Sequence, residues 1–194
     1  TRATNALLER RGAPAALVIT EGFGDLLSIG TQQRPDLFAL AIEKPQPLVE
    51  AVIEADERLA ADGAELRPLD VRALDSAARE LLDRGIRSAA VALAHAYRNP
   101  CHERRAAAVL RDAGFDHVAA SSELAPVIGF LERAETAVVD AYLGPVLAGY
   151  LAGVRRAVGT SRVHLMTSAG GLAEATAFRA VDALLSGPAG GVMG

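Results

Sequence analysis

The sequence holds one cysteine, Cys101, and no tryptophan. A single thiol excludes an intramolecular disulfide, so the fold must rest on an apolar core, and a reducing, cytoplasmic setting is expected. Aromatic residues make up only 4% of the chain, which suits stacked α/β layers better than an all-β sandwich. No apolar run approaches the roughly 18 residues of a membrane span, so no membrane partner is expected. The net charge of -4 provides no basic footprint for nucleic acid. Neither a His-x-x-x-His nor a Cys-x-x-Cys spacing is present, so no metal site is expected. The first residues, Thr1-Arg2-Ala3-Thr4-Asn5, do not read as a signal peptide. Both ends read as cut, and the natural protein is expected to continue.

What is present is a core-forming composition. Hydrophobic residues reach 51% of 194, enough for one large or two small domains. Asn5 to Arg11 reads as a short helix ending at Gly12, and Ala15 to Thr20 as a buried strand. Phe23 to Ile29 has helical spacing. Thr31 to Pro47 carries three prolines and no period, and loops of such length are often functional or lie as surface arms. Asp62-Gly63 between extended runs predicts a hairpin. Asp70 precedes an amphipathic helix that Gly85 ends. Ile86 to Ala94 reads as a strand, Cys101 to Ala113 as a helix and Phe115 to Ala120 as a strand. This alternation predicts a parallel or mixed layered unit.

From Leu131 to Val158 the pattern is one long helix, with Gly144-Pro145 as a potential kink. Beyond it the reading is a strand from Arg162 to Met166, a turn at Gly170-Gly171, a short helix over Ala173 to Ala180, and a strand over Ala183 to Leu185. Ser186-Gly187-Pro188 then caps a last helix. That helix carries three glycines in its final six residues, Gly190, Gly191 and Gly194, each costing up to about a kcal/mol relative to alanine. Such a cost points to a close approach by another backbone or by a ligand.

The most polar, turn-constrained stretch is His95-Ala-Tyr-Arg-Asn-Pro-Cys-His-Glu103. Placed after a strand of a parallel sheet, it sits where active sites form. One reading makes its histidines and Glu103 an acid–base or orienting pair. The other, which is favoured, has Asn99 capping the helix, Glu103 suiting its first turn and His95 satisfied in the core. Cys101 near a helix start invites a nucleophile role, but no catalytic-cysteine signature surrounds it, and a structural role is favoured. Ser168 to Gly171 and Ser186 to Gly191 each follow an expected strand, as a phosphate-cradling loop would. Neither matches a dinucleotide or P-loop fingerprint, and close helix-on-strand packing explains them equally.

Five blocks in register carry a resemblance. Thr4 to Arg10 is similar to an "ATNALLER" segment, and Thr20-Glu-Gly-Phe23, Ile29-Gly30 and Arg34-Pro-Asp-Leu37 to a "TEGF…IG…RPDL" run. His95, Tyr97, Asn99-Pro100 and His102-Glu103 resemble "HSYxNPxHE", Glu132-Arg133 with Ala141-Tyr142 resembles "ER…NAY", and Leu185 to Gly191 resembles "LSGPAGG". Together they resemble the ATP-dependent hydantoinase A/5-oxoprolinase family, which includes acetone carboxylase β-type subunits.

The resemblance implies an α/β fold: part of the first lobe of an actin-like (ribonuclease-H-like) ATPase with an inserted α/β subdomain. Residues 1–13 and 122–194 would belong to the lobe, including the long helix and a hinge helix, and 14–121 to the insertion. It implies a parent enzyme that uses ATP and Mg2+ to phosphorylate the oxygen of a hydantoin or 5-oxoproline amide, so that water opens the ring. This chain would supply substrate contacts at Asn5, Arg34, His102 and Glu132, and a nucleotide-side hinge at Ser186, Gly187, Gly190 and Gly191. A second subunit or domain would complete the system around a small-molecule substrate. The alternatives are an ATP-dependent ketone carboxylase subunit of the same family and a non-catalytic interaction module. The family's Asp-x-Gly-Gly-Thr phosphate motifs are absent here, so this segment by itself is expected to be inactive. Asp140 stands where the family has Asn, Arg2 where a small apolar residue is usual, and Ala134-Glu135 and Thr167-Ser-Ala169 depart from the family's pattern too.

Overall fold

The computed structural model describes residues 2–31, 38, 44–159 and 162–193. At its centre is a parallel sheet of four strands, ordered β2-β1-β5-β6. These strands are β1 (Ala15–Thr20), β2 (Ala51–Ala55), β5 (Ser88–Ala92) and β6 (His117–Ala120). Every residue of β1 and β5 is buried, as expected for parallel strands covered on both faces. Val18 lies between Ile53 of β2 and Val91 of β5.

The period-2 alternation of side chains divides each strand between two cores. Ala16, Val18, Ala89 and Val91 face α3 (Val71–Asp83) and α4 (Cys101–Ala113). Ala15, Leu17, Ile19, Ala90 and Ala92 face the long helix α6 (Phe130–Val158), meeting Ala134, Ala137, Val138 and Ala141. Alanine against alanine lets α6 lie close on the sheet. Full burial of each larger side chain, such as Leu17 or Ile19, contributes about 1.5–3 kcal/mol.

Local chemistry explains the element ends. The Asp70 side chain accepts hydrogen bonds from the N–H groups of Arg72 and Ala73, both at 3.0 Å, and so caps α3. Gly85 and Gly114 follow α3 and α4 at φ 84° and 117°, conformations that favour glycine. Across Asp62-Gly63 the expected hairpin forms between β3 (Arg58–Leu59) and β4 (Glu65–Arg67), closed by the Ala60 N–H on the Ala64 carbonyl. The first helix, α1 (Arg2–Leu8), begins earlier than expected, and only Leu26–Ile29 of the next expected helix forms, as α2. A single helical turn, α5 (Ser121–Leu124), separates β6 from α6.

Helix α6 runs unbroken through Pro145 for 29 residues. Among the described residues it is the one helix long and apolar enough to cross a bilayer, although its apolar stretch is broken up in sequence by Asp140. Its first half covers the sheet. Its second half holds another cluster, in which Tyr142, Leu143, Leu147 and Leu151 pack with Ala3 and Ala6 of α1 and with Ala180 and Ala183. The expected division at 121/122 therefore runs through packed side chains, because the sheet shares a core with α6.

The carboxyl-terminal region differs from the sequence reading. Residues expected to be a helix, Ala173–Ala180, begin instead as β8 (Leu172–Glu174), antiparallel to β7 (His164–Met166). The reason is the turn: Gly170 at φ 81° folds the chain back, and the Thr167 N–H bonds the Gly171 carbonyl at 2.8 Å. The expected strand at Ala183–Leu185 is also absent. Val181–Ala183 is a 3-10 turn, and Leu184 keeps helical angles of φ -60° and ψ -43°. The Ser168 hydroxyl donates to the Asp182 carbonyl and accepts from the Leu185 N–H, so these groups are satisfied without a sheet. The chain then enters α7 (Ser186–Met193) directly.

Candidate functional site

At the carboxyl ends of β1 and β5 the ladder stops inside the protein, where its backbone groups still need partners. A cluster of buried polar side chains supplies them. The Leu93 N–H donates to Glu103 Oε1 at 2.8 Å, and the Leu93 carbonyl accepts from Arg133 Nη2 at 2.9 Å. The Ala94 N–H donates to Thr20 Oγ1 at 2.8 Å. Glu103 also accepts from the Ser121 hydroxyl at 2.6 Å and the Ser122 N–H at 2.8 Å. Arg133 Nη1 donates to Ser121 Oγ and lies 3.4 Å from Glu103 Oε1. Glu103, Ser121 and Arg133 are all completely inaccessible to solvent. The guanidinium stacks 5.3 Å from the Phe130 ring centre. Burial pushes the Arg133 pKa below the ordinary arginine range, with Glu103 opposing that shift.

A second branch runs outward from Thr20. Its hydroxyl, having accepted from Ala94, donates to Glu57 Oε1. Glu57 Oε2 lies 2.6 Å from His102 Nδ1, and His102 Nε2 lies 2.8 Å from Glu65 Oε2. His102 is 3% exposed and Glu57 is fully buried, while Glu65 stands at the surface.

This cluster mounts the loop that follows β5. His95 leaves the strand at φ 59°, in the left-handed region that is uncommon for a residue with a side chain. Its carbonyl accepts from the N–H groups of Arg98 at 2.9 Å and Asn99 at 3.2 Å. Its ring meets Tyr97 edge-on at 6.3 Å and remains half-buried. Asn99 accepts from the Cys101 N–H at 3.2 Å and donates to the Gly63 carbonyl at 2.9 Å, linking the start of α4 to the β3–β4 hairpin. Beside it, the loop after β1 turns its Gly22 and Gly24 N–H groups onto Glu54 Oε1, each at 2.9 Å. Two polar loops thus share the carboxyl edge of the sheet, the usual place for ligand binding in open parallel sheets.

The expected site residues separate. His102 lies inside the cluster with both ring nitrogens engaged, and it is the core histidine; His95, expected in that role, is not. Glu132 is exposed at the start of α6. The structure joins the sequence neighbours of these two residues, Glu103 and Arg133. Asn5 is exposed on α1, whose Thr4 hydroxyl donates to the Leu184 carbonyl and ties that helix to the turn before Ser186. Arg34 lies outside the described residues. Ser186 donates to the Ala183 carbonyl at 2.9 Å, and Gly187 is exposed. A methyl group at Gly190 would meet only Met166 Cγ at 3.6 Å, and one at Gly191 nothing within 4 Å. Close packing among the described residues therefore does not require glycine at either position. Thr20, Glu57 and Ser121 are not among the site residues expected from the sequence: Thr20 ends a strand and opens the Thr20–Phe23 block, and Glu57 and Ser121 carry no motif of their own.

Residues 1–114 match the hydantoinase/oxoprolinase N-terminal region, and residues 133–194 match hydantoinase/oxoprolinase. The chain belongs to the hydantoinase/oxoprolinase family. Its whole length is 44% identical to 5-oxoprolinase 1 of Arabidopsis thaliana and 40% identical to the 5-oxoprolinase of Saccharomyces cerevisiae, spanning 17% of each. It is 33% identical to the acetophenone carboxylase gamma subunit of Aromatoleum aromaticum, of which it covers 29%. Among solved structures it is similar to the ATP-dependent caprolactamase of Pseudomonas jessenii, with a TM-score of 0.87 at 32% identity over 97% of this chain and 29% of that one. Its fold is also that of nucleotide-free acetone carboxylase, with a TM-score of 0.84 at 23% identity over 99% of this chain and 30% of that one. In this hydantoinase/oxoprolinase chain the polar block from His95 to Glu103 has two parts: a half-buried loop, and a buried base that fixes it.

Proposed function

We propose that this chain is part of a cytoplasmic, ATP-dependent enzyme that opens a cyclic amide such as a hydantoin or 5-oxoproline. The observation that carries this reading is likeness over the whole chain to 5-oxoprolinases and to a caprolactamase, proteins whose names share a lactam substrate. The His95–Asn99 loop, held in a left-handed turn above a buried Glu103–Arg133 base, is the substrate-side element. Asn5, Arg34 and Glu132 remain proposed substrate contacts, and His102 supports the loop from beneath.

The phosphate chemistry is assigned outside this segment. The Ser186 hydroxyl is turned back to Ala183, and the sequence contains no Asp-x-Gly-Gly-Thr motif. ATP and Mg2+ are therefore assigned to other parts of the whole protein. In the actin-like two-lobe reading, α7 is the connecting helix, and its open glycine face at Gly191 receives a helix from beyond this chain. Lobe closure would then exclude water from the reacting amide.

The test is ADP release by the full-length protein, with any second subunit, in the presence of hydantoin, 5-oxoproline or caprolactam. The expected result is amide-dependent ADP release with one ring-opened carboxylic acid product per turnover. The acetophenone carboxylase gamma subunit likeness favours a second reading, in which the substrate is a ketone and the parent is one subunit of a carboxylase. ADP release dependent on acetone or acetophenone with bicarbonate, and not on any amide, would establish that reading instead. Absence of ATP binding by the full-length protein would leave an interaction module.

A further inference from the structure

Glu57 and Glu65 stand at opposite nitrogens of the His102 ring. Thr20 Oγ1 accepts the Ala94 N–H at 2.8 Å, so its own proton points to Glu57. Glu57 is fully buried, and its other oxygen lies 2.6 Å from His102 Nδ1, where it can accept a proton from that nitrogen. With Nδ1 as the donor, a neutral imidazole directs its Nε2 lone pair outward. Nε2 lies 2.8 Å from a carboxylate oxygen of Glu65. A proton on Nε2 bridges that distance; with the carboxylate drawn back, a metal ion can take the proton's place.

The Cys101 thiol stands at the same place. The ligand atoms of Glu65, Cys101 and His102 all lie within 4.8 Å of one another. Glu65 and Cys101 are exposed, whereas His102 is buried against Glu57. A cysteine sulfur and a carboxylate beside a buried imidazole nitrogen match the ligand types of zinc, with Zn–S near ~2.3 Å and Zn–N near ~2.0 Å. The buried carboxylate behind the histidine is the outer partner that orients such ligands.

We propose that Glu65, Cys101 and His102 form a zinc site, with Glu57 as the carboxylate that orients His102 and water in the fourth position. The ion would join the β3–β4 hairpin to the start of α4, reinforcing the Asn99–Gly63 hydrogen bond that already links them. A cation at a helix N-terminus is opposed by the helix dipole; the charges of Glu57, Glu65 and the thiolate more than offset this. The site is separate from nucleotide-bound magnesium, because a thiolate and an imidazole favour zinc over a hard, oxygen-seeking ion.

The experiment is a cobalt titration of the chelator-treated full-length protein, followed by displacement with zinc. The expected result is one equivalent of Co2+ that produces a thiolate-to-cobalt charge-transfer band and tetrahedral d–d bands, both removed by zinc. In Cys101→Ser the charge-transfer band should vanish and affinity fall at least about tenfold. Glu57→Gln should weaken binding by about 10–100-fold. Cys101 and Glu65 are exposed, so Cys101→Ser and Glu65→Gln should fold normally and keep the test valid if Glu57→Gln does not. No cobalt spectrum, or a spectrum unchanged in Cys101→Ser, would overturn the proposal. So would a His102 ring carrying protons on both nitrogens by 15N NMR in zinc-containing buffer, which would leave Nε2 no lone pair for a metal.

Discussion

Glu103 and Arg133 form an ion pair with no solvent contact on either side chain, Oε1 lying 3.4 Å from Nη1. Between them they satisfy both backbone groups of Leu93, where the sheet ends. The pair is thus part of how the protein closes its sheet.

The losses from removing each partner alone should not add. Arg133→Met leaves Glu103 charged and buried, and breaking such a pair costs about 3–5 kcal/mol. Glu103→Gln should cost somewhat less, because the amide still accepts from Leu93 and Ser121. The double variant Arg133→Met/Glu103→Gln should be less unstable than the sum of the two. Urea midpoints for the four proteins of this cycle measure the coupling, and additive losses would contradict it.

His95 should show opposite effects on stability and activity. Its left-handed backbone costs roughly 1–2 kcal/mol relative to glycine. His95→Gly should therefore keep or raise the urea midpoint, while His95→Val lowers it. If the ring contacts substrate, both variants should lose kcat/KM with the full-length enzyme. A His95→Gly protein with unchanged activity would assign the residue to loop shape alone.

Asp140 differs from the family's usual asparagine and reports on what that position requires. Its Oδ1 accepts from the N–H groups of Ala180 at 3.0 Å and Val181 at 3.3 Å, and its Oδ2 lies 3.1 Å from His117 Nε2. Gly144 leaves the room that His117 fills, since a methyl group there would collide with the ring. Asp140→Asn can keep both backbone bonds and should change thermal stability little. Asp140→Ala strands one buried and one partly buried N–H group and should cost about 1–3 kcal/mol. Thermal melts of the two variants, compared at one pH, check the difference.

The parts of the fold that were legible in the sequence are those set by local chemistry. Ala15–Thr20 reads as a strand because both its faces are buried, and the Asp70 cap and Gly85 stop bracket α3 in sequence as they do in space. Asp62-Gly63 announces its hairpin. The carboxyl-terminal region was misread because its cues lie far apart: Ser168 satisfies Leu185 across a 17-residue separation. The site was half legible for the same reason. The His95–Glu103 block stands out locally, but Glu57 reaches His102 across 45 residues, and Arg133 reaches Leu93 across 40. No local spacing could show that the half-buried histidine is His95 and the buried one His102.

Helix α6 belongs to two cores, the sheet along its first half and the α1 cluster along its second. At 1.5 Å per residue its 29 residues make a beam about 43 Å long. Pivoting that beam by about five degrees at its middle would move each end by about 2 Å, at 1.5 Å rise per residue. A push on its second half, where Ala180 and Ala183 pack, would then reach Arg133, and through it Leu93 and the loop beyond, as leverage along a stiff rod, with no chain of rearranging side chains between them.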